Sequence, residues 1–246
     1  MGSGGGIEPW TVECAGPASP RLPSPAHKTA SGQEPLNVPG PSGHGDRLPS
    51  RPVKPQSARP SLAVLLDRYR PQGEAETADL GRVRALAGAA GDPWRRSLPL
   101  HLTASALIVH PSSARVLLRW HQRQRAWLQV GGHGDPGESD PLAIAGREAA
   151  EETGLADLTP WPDAEIRHVI IVGVPPGNGE PAHEHADVRY FMATQNPDAA
   201  RAESANAPLR WLSLTEARDV TAEPNLRETL TRIERLLVQS QPFHPS

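Results

Sequence analysis

From Ser61 onward the apolar positions recur with a readable period. Leu62, Val64, Leu65 and Tyr69 follow one another at helical spacing, with Ser61 as N-cap and Pro71 as the stop. A second helix is predicted from about Glu76 to Ala89, with Leu80, Val83 and Leu86 on one face and Gly91 beyond its end. The pattern then turns β-like. Leu102 to Val109 and Val116 to Trp120 read as two strands joined by the turn His110-Pro111-Ser112-Ser113, a predicted hairpin. Ala126 to Val130 is a further strand that runs into Gly131-Gly132-His133-Gly134-Asp135-Pro136-Gly137, a stretch whose glycine content fits only a loop.

The clearest helix follows. Ser139 or Asp140 can cap it, Pro141 suits its first position, and Gly154 supplies a left-handed stop. Beyond it, strands are predicted within 165–174, 187–193 and 209–214, with a Pro-Gly loop at 175–182 between the first two. A last helix from about Glu223 to Gln239 puts Leu226, Leu230, Ile233, Leu236 and Leu237 on one side. Trp120, Trp127 and Trp211 lie in otherwise apolar strands and are expected in the core rather than as base-stacking platforms.

Composition changes the picture only at the N-terminus. Residues 1–60 hold 12 of the 28 prolines and 9 of the 22 glycines, without helical or strand periodicity, so a disordered tail is expected there. The domain reading is 1–60 tail, 61–99 helical extension and 100–246 main folded body. Net charge is −3, and because the tail carries six basic and four acidic residues the remainder stands at −5, a poor surface for nucleic acid. No apolar run is long enough for a membrane span and no export leader is apparent, so a soluble cytoplasmic protein is expected. The single cysteine, Cys14, cannot pair within the chain or build a thiolate metal site.

Candidate chemistry concentrates in one helix. Glu148, Glu151 and Glu152 stand at i, i+3 and i+4, so their side chains share one side. Crowded carboxylates need a positive partner: Arg147 next door, or a hard divalent cation that takes oxygen ligands. A solvated acidic face is the bland alternative. His183, His185 and Asp187 form a second candidate. In a strand they would point the same way as a metal- or phosphate-contacting triplet, although ordinary hydrogen bonding at a loop end explains them equally. A dedicated zinc site is disfavoured there, since zinc usually takes three or four dedicated ligands. His133, beside the glycines, could touch a phosphate, and Glu184 could approach a cleft as a base.

Taken together, Gly132, Glu138 and Arg147-Glu148-Ala149-Ala150-Glu151-Glu152-Thr153-Gly154-Leu155 resemble the signature of the Nudix hydrolase family, G-x5-E-x7-R-E-U-x-E-E-x-G-U. Eight residues rather than seven separate Glu138 from Arg147, which points to a one-residue insertion around Ser139, Asp140 and Pro141. The resemblance implies an α/β (α+β) fold, a Nudix-type αβα sandwich with a mixed sheet. It implies that Glu148, Glu151 and Glu152, with the Gly132 carbonyl, bind Mg²⁺ or Mn²⁺, and that Arg147 orients Glu148. Arg147, Glu148 and Glu151 would then be the catalytic residues, and His133, His183, Glu184 and His185 the substrate-binding ones. The implied activity is hydrolysis of the pyrophosphate linkage of a nucleoside diphosphate joined to another group. The alternative is a catalytically silent Nudix-like nucleotide sensor or scaffold. An isomerase of the same fold that uses a catalytic cysteine is set aside, because Cys14 lies in the tail.

Overall fold

The computed structural model describes residues 60–177 and 179–240, and the tail expectation lies outside these described residues. Two helices come first, α1 (Leu62–Arg68) and α2 (Glu74–Gly88), as the spacing predicts. The Ser61 side chain makes no capping bond. Then follow strands β1 (Leu100–His110), β2 (Arg115–His121), β3 (Ala126–Leu128) and β4 (Val130–Gly132), and helix α3 (Pro141–Thr153). The chain continues through β5 (Thr159–Pro160), β6 (His168–Val174), β7 (His183–Ala193) and β8 (Leu209–Ser213) to α4 (Leu214–Val220) and α5 (Pro224–Ser240).

Two differences from the sequence reading matter. Strand β7 starts at His183 rather than Asp187, because a parallel ladder to β1 pairs His101 with His185 and Leu100 with Glu184. Helix α4 is an extra element, started by a capping box in which the Ser213 hydroxyl accepts from the Glu216 N–H and the Glu216 side chain accepts from the Ser213 N–H.

The sheet is mixed. Strands run β3-β2-β1-β7-β5, with β4 also on β1, β6 on β7 and β8 on β2, and among the described residues only the β1–β7 pairing is parallel. The predicted β1–β2 hairpin is present, with Ile108 opposite Leu117. Side-chain alternation along β1 divides the core into two layers. Leu102, Ala104, Ala106 and Ile108 pack with Leu142, Ile144, Ala145 and Ala149 of α3 and with Leu80 and Val83 of α2. Leu107 and Val109 face the other way, against Leu226, Leu230, Ile233 and Leu237 of α5. Helices therefore cover both faces, which gives the αβα arrangement. On the α5 face the first half of β1 is polar, with Thr103 and Ser105 buried there. The tryptophans expected in the core sit at its rim: Trp120, Trp127 and Trp211 are half-buried, because β3 and β8 end the sheet on that side.

Buried charge ties the N-terminal helices to the body. Glu76 of α2 receives both guanidinium nitrogens of Arg232 in α5, at 3.0 and 2.8 Å, and also bonds the Tyr69 hydroxyl. The same carboxylate accepts the Val169 N–H of β6 at 3.2 Å, and Asp79 accepts the Ile171 N–H at 3.0 Å. Beside them, His168 Nδ1 lies 2.8 Å from the Thr229 hydroxyl.

Burial, followed by the nearby Arg189 and Arg232 charges, pushes the His168 imidazole down to about 3. The folded protein holds it neutral, whereas the unfolded chain takes up a proton near its ordinary value of 6.5. Stability from this group is thus complete above the unfolded value and is lost as pH falls. At pH 5 the loss is roughly 2 kcal/mol relative to pH 7. Urea denaturation followed from pH 7 to 5 is expected to show this decline in the native protein and a flatter profile in His168→Asn.

Candidate functional site

Helix α3 is built as its sequence suggests. The Asp140 carboxylate accepts from the Leu142 and Ala143 N–H groups at 3.0 and 3.4 Å, Pro141 occupies the first position, and Gly154 closes the helix at φ 67°. Of the two candidate caps, Asp140 is the one used. One face of α3 is buried in the core, which leaves Arg147, Glu148, Glu151 and Glu152 on the other side.

Arg147 is the hub of that side. Its guanidinium donates to Glu138 at 2.9 and 3.2 Å, to Glu148 Oε1 at 2.9 Å, to Glu151 Oε2 at 3.0 Å and to the His133 carbonyl at 3.0 Å. Glu138 therefore joins the cluster despite the altered spacing, and its hydrogen bonds from Arg147 hold its carboxyl below the usual range.

The three helix carboxylates are not equivalent. Glu148 and Glu152 turn inward, with side chains 17% and 14% exposed, whereas Glu151 is 57% exposed. Glu152 Oε2 accepts the Gly131 N–H at 3.1 Å, and its other oxygen lies 3.2 Å from Arg119 of β2. Burial pushes Glu152 up to about 7 against the opposing Arg119 charge, and burial also raises Glu148. Two carboxylates are thus held where their negative charge lacks sufficient compensation from the protein.

The two glycines of β4 make this closeness possible. Gly131 has φ 146°, and a Cβ there would lie 2.5 Å from the Ser105 Cα. At Gly132 a Cβ would lie 2.6 Å from Glu148 Oε2. At these two positions the strand passes between β1 and the acidic helix too closely for a Cβ to fit without displacing a neighbour.

Gly131 and Gly132 also line a cleft of about 230 Å³, together with Thr103, Gln129, His133, His185 and Asp187. Asp187 is fully enclosed. Burial alone would raise its carboxyl, but Arg189 at 2.8 Å and the Ser105 and Thr103 hydroxyls at 2.8 and 3.1 Å hold it below the usual range. Gln129 Oε1, buried in the cleft wall, has no hydrogen-bond partner among the described residues.

His183, His185 and Asp187 do share a face of β7. The structure brings His185 to His133 and adds His101 from β1, which meets all three other rings, with His101 Nε2 3.0 Å from His133 Nε2. Burial and neighbouring positive groups push His133 down to about 3 and His185 to about 4, so both rings are neutral at pH 7. Glu184 points away from this group and pairs with Arg82 of α2, at 3.1 Å. His101, Arg119 and Gln129 carried no signal in the sequence, since each is brought to the site by strand pairing between distant segments.

The NUDIX domain profile matches residues 99–233. No curated protein matches the chain. Among solved structures, a Caenorhabditis elegans Ap4A hydrolase is 21% identical, covering 55% of this chain and 97% of its own, with a TM-score of 0.43. The Escherichia coli dihydroneopterin triphosphate pyrophosphohydrolase is 15% identical over 58% and 97%, with a TM-score of 0.43. A MutT protein from Methanosarcina mazei is 18% identical over 58% and 98%, with a TM-score of 0.44.

The close passage at β4 can be tested by stability. Gly131→Ala is expected to cost about 2–4 kcal/mol in urea denaturation, since the obstructing atoms are backbone and φ is positive. Gly146→Ala, within α3 and no closer than 3.4 Å to the Met192 side chain, should instead be neutral or stabilise by up to about 1 kcal/mol. The domain match spans more than half of the sequence and contains the arginine-linked acidic helix, so the chain belongs to the Nudix hydrolase family.

Proposed function

We propose that the protein is a divalent-cation-dependent pyrophosphohydrolase acting on a nucleoside diphosphate linked to another group. The observation that supports this most directly is the inward turn of Glu148 and Glu152 against Gly132 and Gly131, beside a cleft large enough for part of a nucleotide. The donor set fits Mg²⁺ or Mn²⁺. Glu148, Glu151, Glu152 and the Gly132 carbonyl are all oxygen donors, and burial raises Glu148 and Glu152 as expected for carboxylates that a cation would relieve. Bound there, such an ion would offset charge developing on the diphosphate oxygens.

The chain's own residues divide the remaining work. Arg147 fixes Glu148 relative to Glu138 and to the loop carbonyl of His133, so the carboxylate meets the substrate without reorganising. Arg119 and the Gly131 N–H do the same for Glu152. The nucleoside portion lies in the cleft, where Gln129 Oε1 offers an acceptor to an N–H or O–H of the ligand, with His133 and His185 along the wall. Glu184, committed to Arg82, stands outside that lining.

Turnover is tested with Mg²⁺ against nucleoside triphosphates, oxidised purine nucleotides, ADP-ribose and dinucleoside polyphosphates. Glu152→Gln and Glu151→Gln are expected to lower kcat at least about tenfold while retaining the native circular dichroism spectrum. Full activity in both variants would sink the metal assignment. Tight binding of one panel member without any product would favour the sensor reading instead.

A further inference from the structure

His101, His133, His183 and His185 come from three separate segments: the start of β1, the loop after β4 and the start of β7. Their ring centroids lie 4.9 to 5.3 Å apart in five of the pairs. Two backbone carbonyls determine how two of the rings are protonated. His101 Nδ1 lies 2.9 Å from the Leu98 carbonyl, and His183 Nδ1 lies 2.9 Å from the Pro181 carbonyl. A carbonyl only accepts, so each Nδ1 carries the hydrogen, and in this tautomer the Nε2 is the ring's lone-pair nitrogen. Those lone pairs belong to the atoms that meet the other rings: His101 Nε2 to His133 Nε2 at 3.0 Å, and His183 Nε2 to His185 Nε2 at 3.2 Å. Carbonyl-anchored Nδ1–H with the lone pair on Nε2 is the arrangement that orients an imidazole as a metal ligand.

We propose that His101, His183 and His185, with His133 at the fourth position, form a binding site for a zinc-class transition-metal ion, separate from the carboxylates of α3. One ligand nitrogen from each of His101, His183 and His185 can be chosen so that all lie within 4.8 Å of one another. Ligands at a Zn–N distance of about 2.0–2.1 Å in tetrahedral directions have nitrogens about 3.3 Å apart, close to the two Nε2–Nε2 spacings here. The chemistry of the donors selects the ion. Four imidazoles with no carboxylate hydrogen-bonded to them among the described residues suit Zn²⁺ and its transition-metal neighbours rather than Mg²⁺, which takes oxygen. Such an ion would fasten the glycine-rich loop to two strands of the sheet, since His133 follows Gly132 directly and its carbonyl holds Arg147. The site stands whether or not the acidic helix carries Mg²⁺.

The test uses the full chain, stripped by chelator, reloaded with Zn²⁺ in excess Mg²⁺ and passed through a desalting column. One equivalent of zinc should remain with the native protein and with Glu152→Gln, and should be lost from His183→Ala and His101→Ala. Co²⁺ in place of zinc should give the visible absorption of a tetrahedral nitrogen site in the native protein and in Glu152→Gln, and not in His183→Ala. Because His101 is buried and its variant could unfold, His183→Ala decides the matter: its side chain is partly exposed, and its Tm should equal that of the zinc-free native protein and ignore added zinc. Absence of retained zinc in the native protein would overturn the proposal. So would retention in His183→Ala together with loss in Glu152→Gln, which would place the ion on α3.

Discussion

Much of this molecule depends on the passage of a two-glycine strand between β1 and α3. Gly131 and Gly132 carry no side chains, so backbone can lie against Ser105 on one side and the Glu148 carboxylate on the other. That contact keeps two carboxylates half out of water, fixes the Gly131 N–H on Glu152, and delivers His133 to the histidine group. Electrostatics then follows from geometry. Buried anions require compensation, which Arg147 and Arg119 give in part and a divalent cation would complete.

The acidic face also shows how one arginine can organise a cluster of like charges. Arg147 contacts Glu138, Glu148 and Glu151, but it makes no hydrogen bond to Glu152, which relies on Arg119 and a backbone amide. The sequence left open whether an arginine or a cation offsets the carboxylates. In the structure Arg147 links Glu138, Glu148 and Glu151, while Glu152 is held by Arg119 and the Gly131 N–H.

Local signals were legible and non-local ones were not. Asp140, Pro141 and Gly154 delimit α3 through capping chemistry written in adjacent residues, and the β1–β2 hairpin follows from a short turn. The acidic spacing showed which side chains share a face, but not that Glu151 would be the exposed one, since that depends on what α3 packs against. The early start of β7 was hidden for the same reason. His183 and Glu184 look like loop until β6 pairs with the first and β1 and β6 with the second. Likewise His183 and His185 alone fall short of a ligand set, and the two further rings arrive from residues 101 and 133 by tertiary contact. Asp187, also seen as part of that triplet, is instead absorbed by Arg189 and two hydroxyls.

The two N-terminal helices precede the region matched by the family profile, yet Glu76 and Asp79 accept backbone N–H groups of β6, which has only β7 beside it in the sheet. A strand with a partner on one flank offers its other flank as a template for intermolecular pairing. Here α2 occupies that flank with carboxylates, so the extension works as a shield against edge-to-edge self-association. A fragment trimmed to the family boundary would leave Arg232 without its buried counter-charge and uncover the very amides that recruit a foreign strand.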